Sequence, residues 1–121
     1  MEEISIEILS VMGEDWRTVL RQMAEYLLKK GYVKDSYIDA LIKREENYPT
    51  GIKIPIGVNV AIPHAEIEYV IRQALVIGIP NKPVIFHNIE DPKDTVNVDL
   101  ILLLVINNPK GYLNFLSFFH D

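Results

Sequence analysis

The chain contains no cysteine, which excludes disulfides and thiolate metal sites and is compatible with a cytosolic protein. It also lacks an excess of positive charge. Twelve Lys and Arg stand against seventeen Asp and Glu, for a formal net charge of −5, and with no basic stripe nucleic acid is not an expected partner. Long apolar runs are missing too. The longest, Leu100 to Ile106, is far short of the roughly 20 residues that cross a bilayer. The opening MEEISIE lacks the basic and then apolar pattern of a secretory signal. Histidine is scarce: His64, His87 and His120 are widely separated and show no short ligand spacing, so no metal site is expected.

What is present suits one ordinary domain. The 121 residues are 49% hydrophobic and 24% charged, enough to bury a core, and no repeat or linker interrupts them. Ile4, Ile6 and Ile8 alternate with Ser5 and Glu7, the pattern of a half-buried strand. Trp16, Val19, Leu20, Met23 and Leu27 then fall at helical spacing, with Glu14 and Asp15 at the N-terminal end, Lys29 and Lys30 at the other and Gly31 as the stop. Asp35 or Ser36 caps a second helix whose inward stripe runs from Tyr37 and Leu41 to Arg44.

Pro49, Gly51, Pro55 and Gly57 mark a long irregular connection. Ala74 to Ile79 and Val84 to Phe86 are short strand candidates. Val96 to Ile106 begins with alternation and becomes continuously apolar from Leu100, as in a central strand covered on both faces. Asn108 and Pro109 open a last helix carrying Leu113, Leu116 and Phe119. The simplest architecture is α/β, a three-layer α/β/α sandwich with a mixed sheet.

One stretch, Tyr48 to Ala65 (YPTGIKIPIGVNVAIPHA), has the character of a site. Val58 to Ile62 favours a strand, and Pro63 cannot donate to a ladder, so pairing is expected to fail there and leave His64 at a strand end. In an extended strand Val58, Val60, Ile62 and His64 share a face. A lone histidine of this kind is more often structural than functional. For Arg44, a surface arginine favoured by the helix dipole is the plainer reading; its place on an inward stripe argues for a site.

Arg44 and Glu45, then Tyr48, Pro49, Thr50 and Gly51, then Val60 to Ala65 as VAIPHA, together resemble the phosphorylation-site region of the fructose, mannitol and galactitol type of enzyme IIA, from the bacterial phosphoenolpyruvate-dependent sugar phosphotransferase system. The similarity runs from near Ile4 to the C-terminus. NYPTGI leans toward the galactitol-like branch. The resemblance implies the same mixed-sheet sandwich, of mannitol IIA type, and a phosphoryl carrier in which His64 accepts phosphate from phospho-HPr and passes it to a IIB partner serving a IIC membrane permease. Imidazole suits a reversible phosphoryl carrier because one nitrogen is unprotonated near neutral pH. Arg44 supplies a fork of donors to the phosphate, and Thr50 and the amides around Gly51 are further candidates. No metal or other cofactor is called for. Glu45 either orients His64 or is a solvated charge at a helix end, and the second reading is favoured.

Two departures from the family pattern stand out. The family's second histidine, after the last strand, is replaced by Tyr112, which offers one hydrogen bond and no positive charge. His87 and His120 match no active-site position. The chain is also expected to lack the family's final helix, leaving Phe115, Phe118 and Phe119 clustered, which suggests either a homo-oligomer contact or a shortened chain. Two alternatives remain: a regulatory, nitrogen-type sensor with the same chemistry at His64, and an inactive interaction module.

Overall fold

The computed structural model describes residues 4–117. The first helix, α1 (Trp16–Lys29), begins where Asp15 accepts the Thr18 amide at 2.8 Å and ends just before Gly31, whose φ of 78° is open to glycine without strain. A second helix, α2 (Tyr37–Asn47), starts at Ser36 without a side-chain cap. Both lie between β1 (Ser5–Val11) and its parallel neighbour β4 (Ala74–Pro80) in sequence. Between α2 and β4 come β2 (Gly51–Ile52), β3 (Val60–Ala61) and a 3-10 turn (Ile67–Tyr69). The chain then forms β5 (Val84–His87), β6 (Thr95–Val98), β7 (Leu100–Val105) and α3 (Pro109–Leu116).

The main sheet has the order β1-β4-β7-β3-β2 and is mixed, as expected: β1/β4 and β7/β3 are parallel, while β4/β7 and β3/β2 are antiparallel. One of its faces carries the rows Glu7–Val76–Leu103 and Leu9–Gly78–Ile101. This face meets α1. A Cβ on Gly78 would stand 2.8 Å from the Met23 sulfur, so the glycine lets helix and sheet approach closely. Glu7 is accommodated there because the hydroxyls of Tyr26 and Tyr32 donate to its carboxylate, the Tyr26 bond holding it below the usual carboxylate range.

This arrangement reverses the expectation for β1. Ile4, Ile6 and Ile8 are 48, 67 and 69% exposed, and the Ser5, Glu7 and Leu9 side of the strand faces the helices. Alternation was read correctly, but it does not say which face the helices cover. On that second face α3 forms a partial third layer over the buried Leu104 and Ile106, with Gly111 and Phe115 lining a groove shared with Ile6 and Leu75.

Other boundaries also shifted. The run Val96 to Ile106 is two strands, because the chain leaves one sheet for the other at Asp99, where the Asp99 amide donates to the Asn59 carbonyl at 2.8 Å and its carboxylate accepts the Asn59 amide at 2.9 Å. The irregular connection after Pro49 contains β2. In α3 the expected cap holds, with Asn108 accepting the Gly111 amide at 3.0 Å and Pro109 in the first turn. Leu113, however, is 68% exposed. The aromatic cluster is described only at Phe115; Phe118, Phe119 and His120 lie outside the described residues. No helix among the described residues is long and apolar enough to cross a membrane.

The β5–β6 hairpin joins the main sheet through Gly51. That residue pairs with Ala61 in the sheet and bridges to Asn88, while its carbonyl accepts the Ile89 amide at 2.8 Å. A Cβ at this position would lie 2.7 Å from the His87 carbonyl oxygen, a backbone atom that cannot swing away. Gly51→Ala is therefore expected to destabilise the fold by about 1–3 kcal/mol, read as a lower midpoint in urea with an unchanged m-value.

Candidate functional site

His64 lies just past the two residues of β3, and its neighbours are pinned from three sides. The Ile62 amide donates to Thr50 at 3.2 Å, the Leu104 amide donates to Pro63 at 3.1 Å, and the Tyr112 hydroxyl donates to the Ala65 carbonyl. Proline at 63 removes an amide from the ladder but leaves its carbonyl as an acceptor, so pairing lapses and resumes as a single bridge between His64 and Leu104. Shared parity does not predict burial here: Val58 is exposed, while Val60, Ala61 and Ile62 are all buried. The imidazole is fixed at the sheet rim and only half buried.

The ring's chemistry follows from its one hydrogen bond. Nδ1 lies 3.0 Å from the Ile62 carbonyl oxygen, which can only accept, so Nδ1 carries the proton and Nε2 holds the lone pair. Nε2 has no partner among the described residues, and the half-buried ring lines two cavities that open to solvent. Burial lowers the His64 pKa below 6.5, aided by the positive charge of Arg44 and opposed by the Ile62 bond and Glu66. The ring stays neutral, and Nε2 stays nucleophilic, to a lower pH than in a free histidine.

Two cavities open beside the ring. One, of about 430 Å³, is lined by His64 with Arg44, Glu66, Glu68 and Tyr112; the other, of about 260 Å³, by His64 with Arg44, Thr50 and Ile89. Arg44 borders both. Its Nη1 donates to Glu66 at 2.8 Å, and its guanidinium lies 5.3 Å from the centre of the Tyr48 ring. The Tyr112 ring is 4.9 Å from that of His64, and burial pushes its hydroxyl up to about 12.

A family model described as "Phosphoenolpyruvate-dependent sugar phosphotransferase system, EIIA 2" matches residues 1–120. The chain belongs to that family. It is thus an EIIA component of a sugar phosphotransferase system, a phosphoryl carrier. It is 35% identical over 102 residues to the galactitol-specific EIIA component of Escherichia coli K12, covering 84% of this chain and 67% of the relative. Its fold is similar to that of the mannitol enzyme IIA of E. coli solved in complex with phosphorylated mannitol enzyme IIB, with a TM-score of 0.71 and 22% identity over 93% of this chain and 76% of that one. The nitrogen regulatory protein IIA-Ntr of Neisseria meningitidis is similar as well, with a TM-score of 0.66 and 23% identity over 93% of this chain and 73% of that one.

The EIIA fold places His64, Arg44 and Tyr112, three of the residues selected from the sequence, around one cavity. Three other candidates make their contacts away from the ring, although Thr50 also lines the smaller cavity. Glu45, read as a solvated helix-end charge or an orienter of His64, is neither: it is 4% exposed, accepting the Thr50 amide and hydroxyl at 2.8 Å each. The buried stripe of α2 thus runs Tyr37, Leu41, Glu45, and Arg44 falls one position away at the rim. Thr50 gives its hydroxyl to Glu45, and Gly51 serves close packing of the hairpin. The residue that sequence reasoning missed is Glu66, partner of Arg44. Its only signal was a carboxylate two residues after the histidine.

Burial pushes the Glu45 carboxyl up to about 7, against the pull of the two Thr50 donors. The folded EIIA chain therefore holds a proton there that the unfolded chain, with its value near 4.5, releases. That contribution to stability is present below about pH 4.5 and is lost as pH rises through about 7. His64, with its lowered value, has the opposite slope, losing stability as pH falls below 6.5. Subtracting a Glu45→Gln variant isolates the first effect. In urea titrations at pH 5 and pH 8, the stability of wild type minus variant is expected to fall by roughly 1–3 kcal/mol on going to pH 8; an unchanged difference would mean Glu45 is ionised throughout.

Proposed function

We propose that His64 is the phosphoacceptor and that Nε2 is the atom phosphorylated. The observation carrying this reading is the Nδ1 bond to Ile62, which leaves the lone pair on the other nitrogen of a ring that lines two open cavities. In the proposed step the N–P bond of a donor phosphohistidine breaks with its electron pair remaining on the donor ring. The Nε2 lone pair forms the new N–P bond. No proton leaves His64, because Nδ1–H stays on the Ile62 carbonyl, and that carbonyl steadies the positive charge the phosphorylated ring acquires.

Arg44 is the phosphate-stabilising residue in this reading, because its guanidinium borders both cavities beside the ring. Tyr112 fixes the loop through Ala65 and presents its ring to the imidazole. The donor is phospho-HPr and the acceptor a cysteine of a IIB partner, itself serving a IIC permease, and the protein works in the cytoplasm. The 35% identity to a galactitol-specific component favours the galactitol branch of sugar uptake over a regulatory role. Self-association through the Phe115 end of α3 completes the reading: Phe115 borders an apolar groove of about 300 Å³ with Ile6 and Leu104. Light scattering that returns a monomer at all concentrations removes that element alone.

Incubation with phosphoenolpyruvate, enzyme I and HPr is expected to add one acid-labile phosphate per chain, seen by mass spectrometry, and none to a folded His64→Ala variant. Arg44→Ala is expected to slow the transfer by about ten- to a hundredfold. A folded wild-type protein that never gains the phosphate rejects the assignment.

A further inference from the structure

The resting site holds its own anion. Among the described residues the one ion-pair partner of Arg44 is Glu66, at 2.8 Å. This carboxylate follows His64 by two residues on the same loop, and its backbone is held by the 3-10 turn, where the Glu66 carbonyl accepts the Tyr69 amide at 3.2 Å. Around the larger cavity the charged side chains are Arg44, Glu66 and Glu68, one cation against two carboxylates. The Arg44 and Glu66 side chains are 33 and 44% exposed, so their attraction is the weak, water-screened kind that exchanges readily for another anion.

We propose that Glu66 is a counter-ion switch: it occupies the Arg44 guanidinium while His64 is bare and yields it to the phosphoryl group once His64 is phosphorylated. The inference rests on the phosphoacceptor reading of His64. A phosphoryl group brings nearly two negative charges, more than one exposed carboxylate offers, and it presents more acceptor oxygens to the guanidinium fork. Glu66 is then left unpaired beside that dianion, with Glu68 also on the cavity wall. Their repulsion raises the tendency of the phosphoryl group to move on, so the site holds the group without trapping it. Glu66 acts here as a positioning residue, through Arg44.

The test compares wild type with Glu66→Gln and Glu66→Asp. In the unphosphorylated protein, an NMR titration of the His64 ring reads the first half of the switch. The groups facing the ring are Arg44, Glu66, Glu68, Tyr112 and the Ile62 carbonyl. Removing the carboxylate leaves Arg44 uncompensated, so the midpoint is expected to fall in Glu66→Gln and to return toward wild type in Glu66→Asp. The second half is read from the equilibrium of phosphoryl transfer with phospho-HPr, which in Glu66→Gln should shift toward the phosphorylated chain by about three- to tenfold, again with recovery in Glu66→Asp. If wild type accepts no phosphate from phospho-HPr or from phosphoramidate, the phosphoacceptor reading fails and the switch fails with it. If wild type is phosphorylated but Glu66→Gln matches it in both midpoint and equilibrium, the phosphoacceptor stands and the Arg44–Glu66 contact is an ordinary surface ion pair.

Discussion

The Ile62 carbonyl oxygen can only accept a hydrogen bond, and it sits 3.0 Å from Nδ1 of His64. This contact fixes the tautomer, turns the unprotonated nitrogen outward and anchors the ring to the backbone that precedes it. The surrounding bonds serve the same end. Thr50 and Leu104 hold Ile62 and Pro63 through main-chain bonds, and the Tyr112 hydroxyl holds the Ala65 carbonyl, so the ring's position depends on the residue before β2, on β7 and on a side chain of α3. Burial then keeps the ring neutral. A site built in this way needs little rearrangement to present a nucleophile.

Much of this was legible in the sequence because it depends on local chemistry. Asn108 caps the helix it was expected to cap, Asp15 lies at the N-terminal end of α1 as its charge suggested, Gly31 follows the end of α1, and the two-sided burial of Leu103 and Leu104 follows from an uninterrupted apolar run. Arg44 and His64 were selected through motif spacing, and Tyr112 through what it replaces, and the fold sets the three beside one cavity. What was not legible depends on the path of the chain. The isoleucines of β1 outnumber the apolar residues on its other side near the start of the strand, yet α1 covers the side of Glu7 and Leu9, since the crossover from β1 to its parallel neighbour β4 decides which face is roofed. A carboxylate such as Glu45 reads as solvated until Thr50 is seen to fold back on it with two donors, five residues on. The break at Asp99 depends on Asn59, forty residues away, and no local pattern could announce it.

The electrostatics of the site divide between two neighbouring helix residues. Glu45 points inward, where desolvation makes its charge expensive, and it knots the end of α2 to the start of β2. Arg44 points to the rim, where water keeps its ion pair loose. One turn of helix therefore supplies a buried structural tie and, one residue away, a cation held at the rim by a water-screened ion pair.

Gly51 has a consequence of a mechanical kind. Its carbonyl receives the hairpin at Ile89, while the carbonyl of the preceding residue, Thr50, receives the amide of Ile62, which leads into the imidazole. The two attachments sit on adjacent peptide units with no side chain at Gly51 to cushion them. The β5–β6 hairpin and the histidine's seat are thus fastened to the same short piece of backbone.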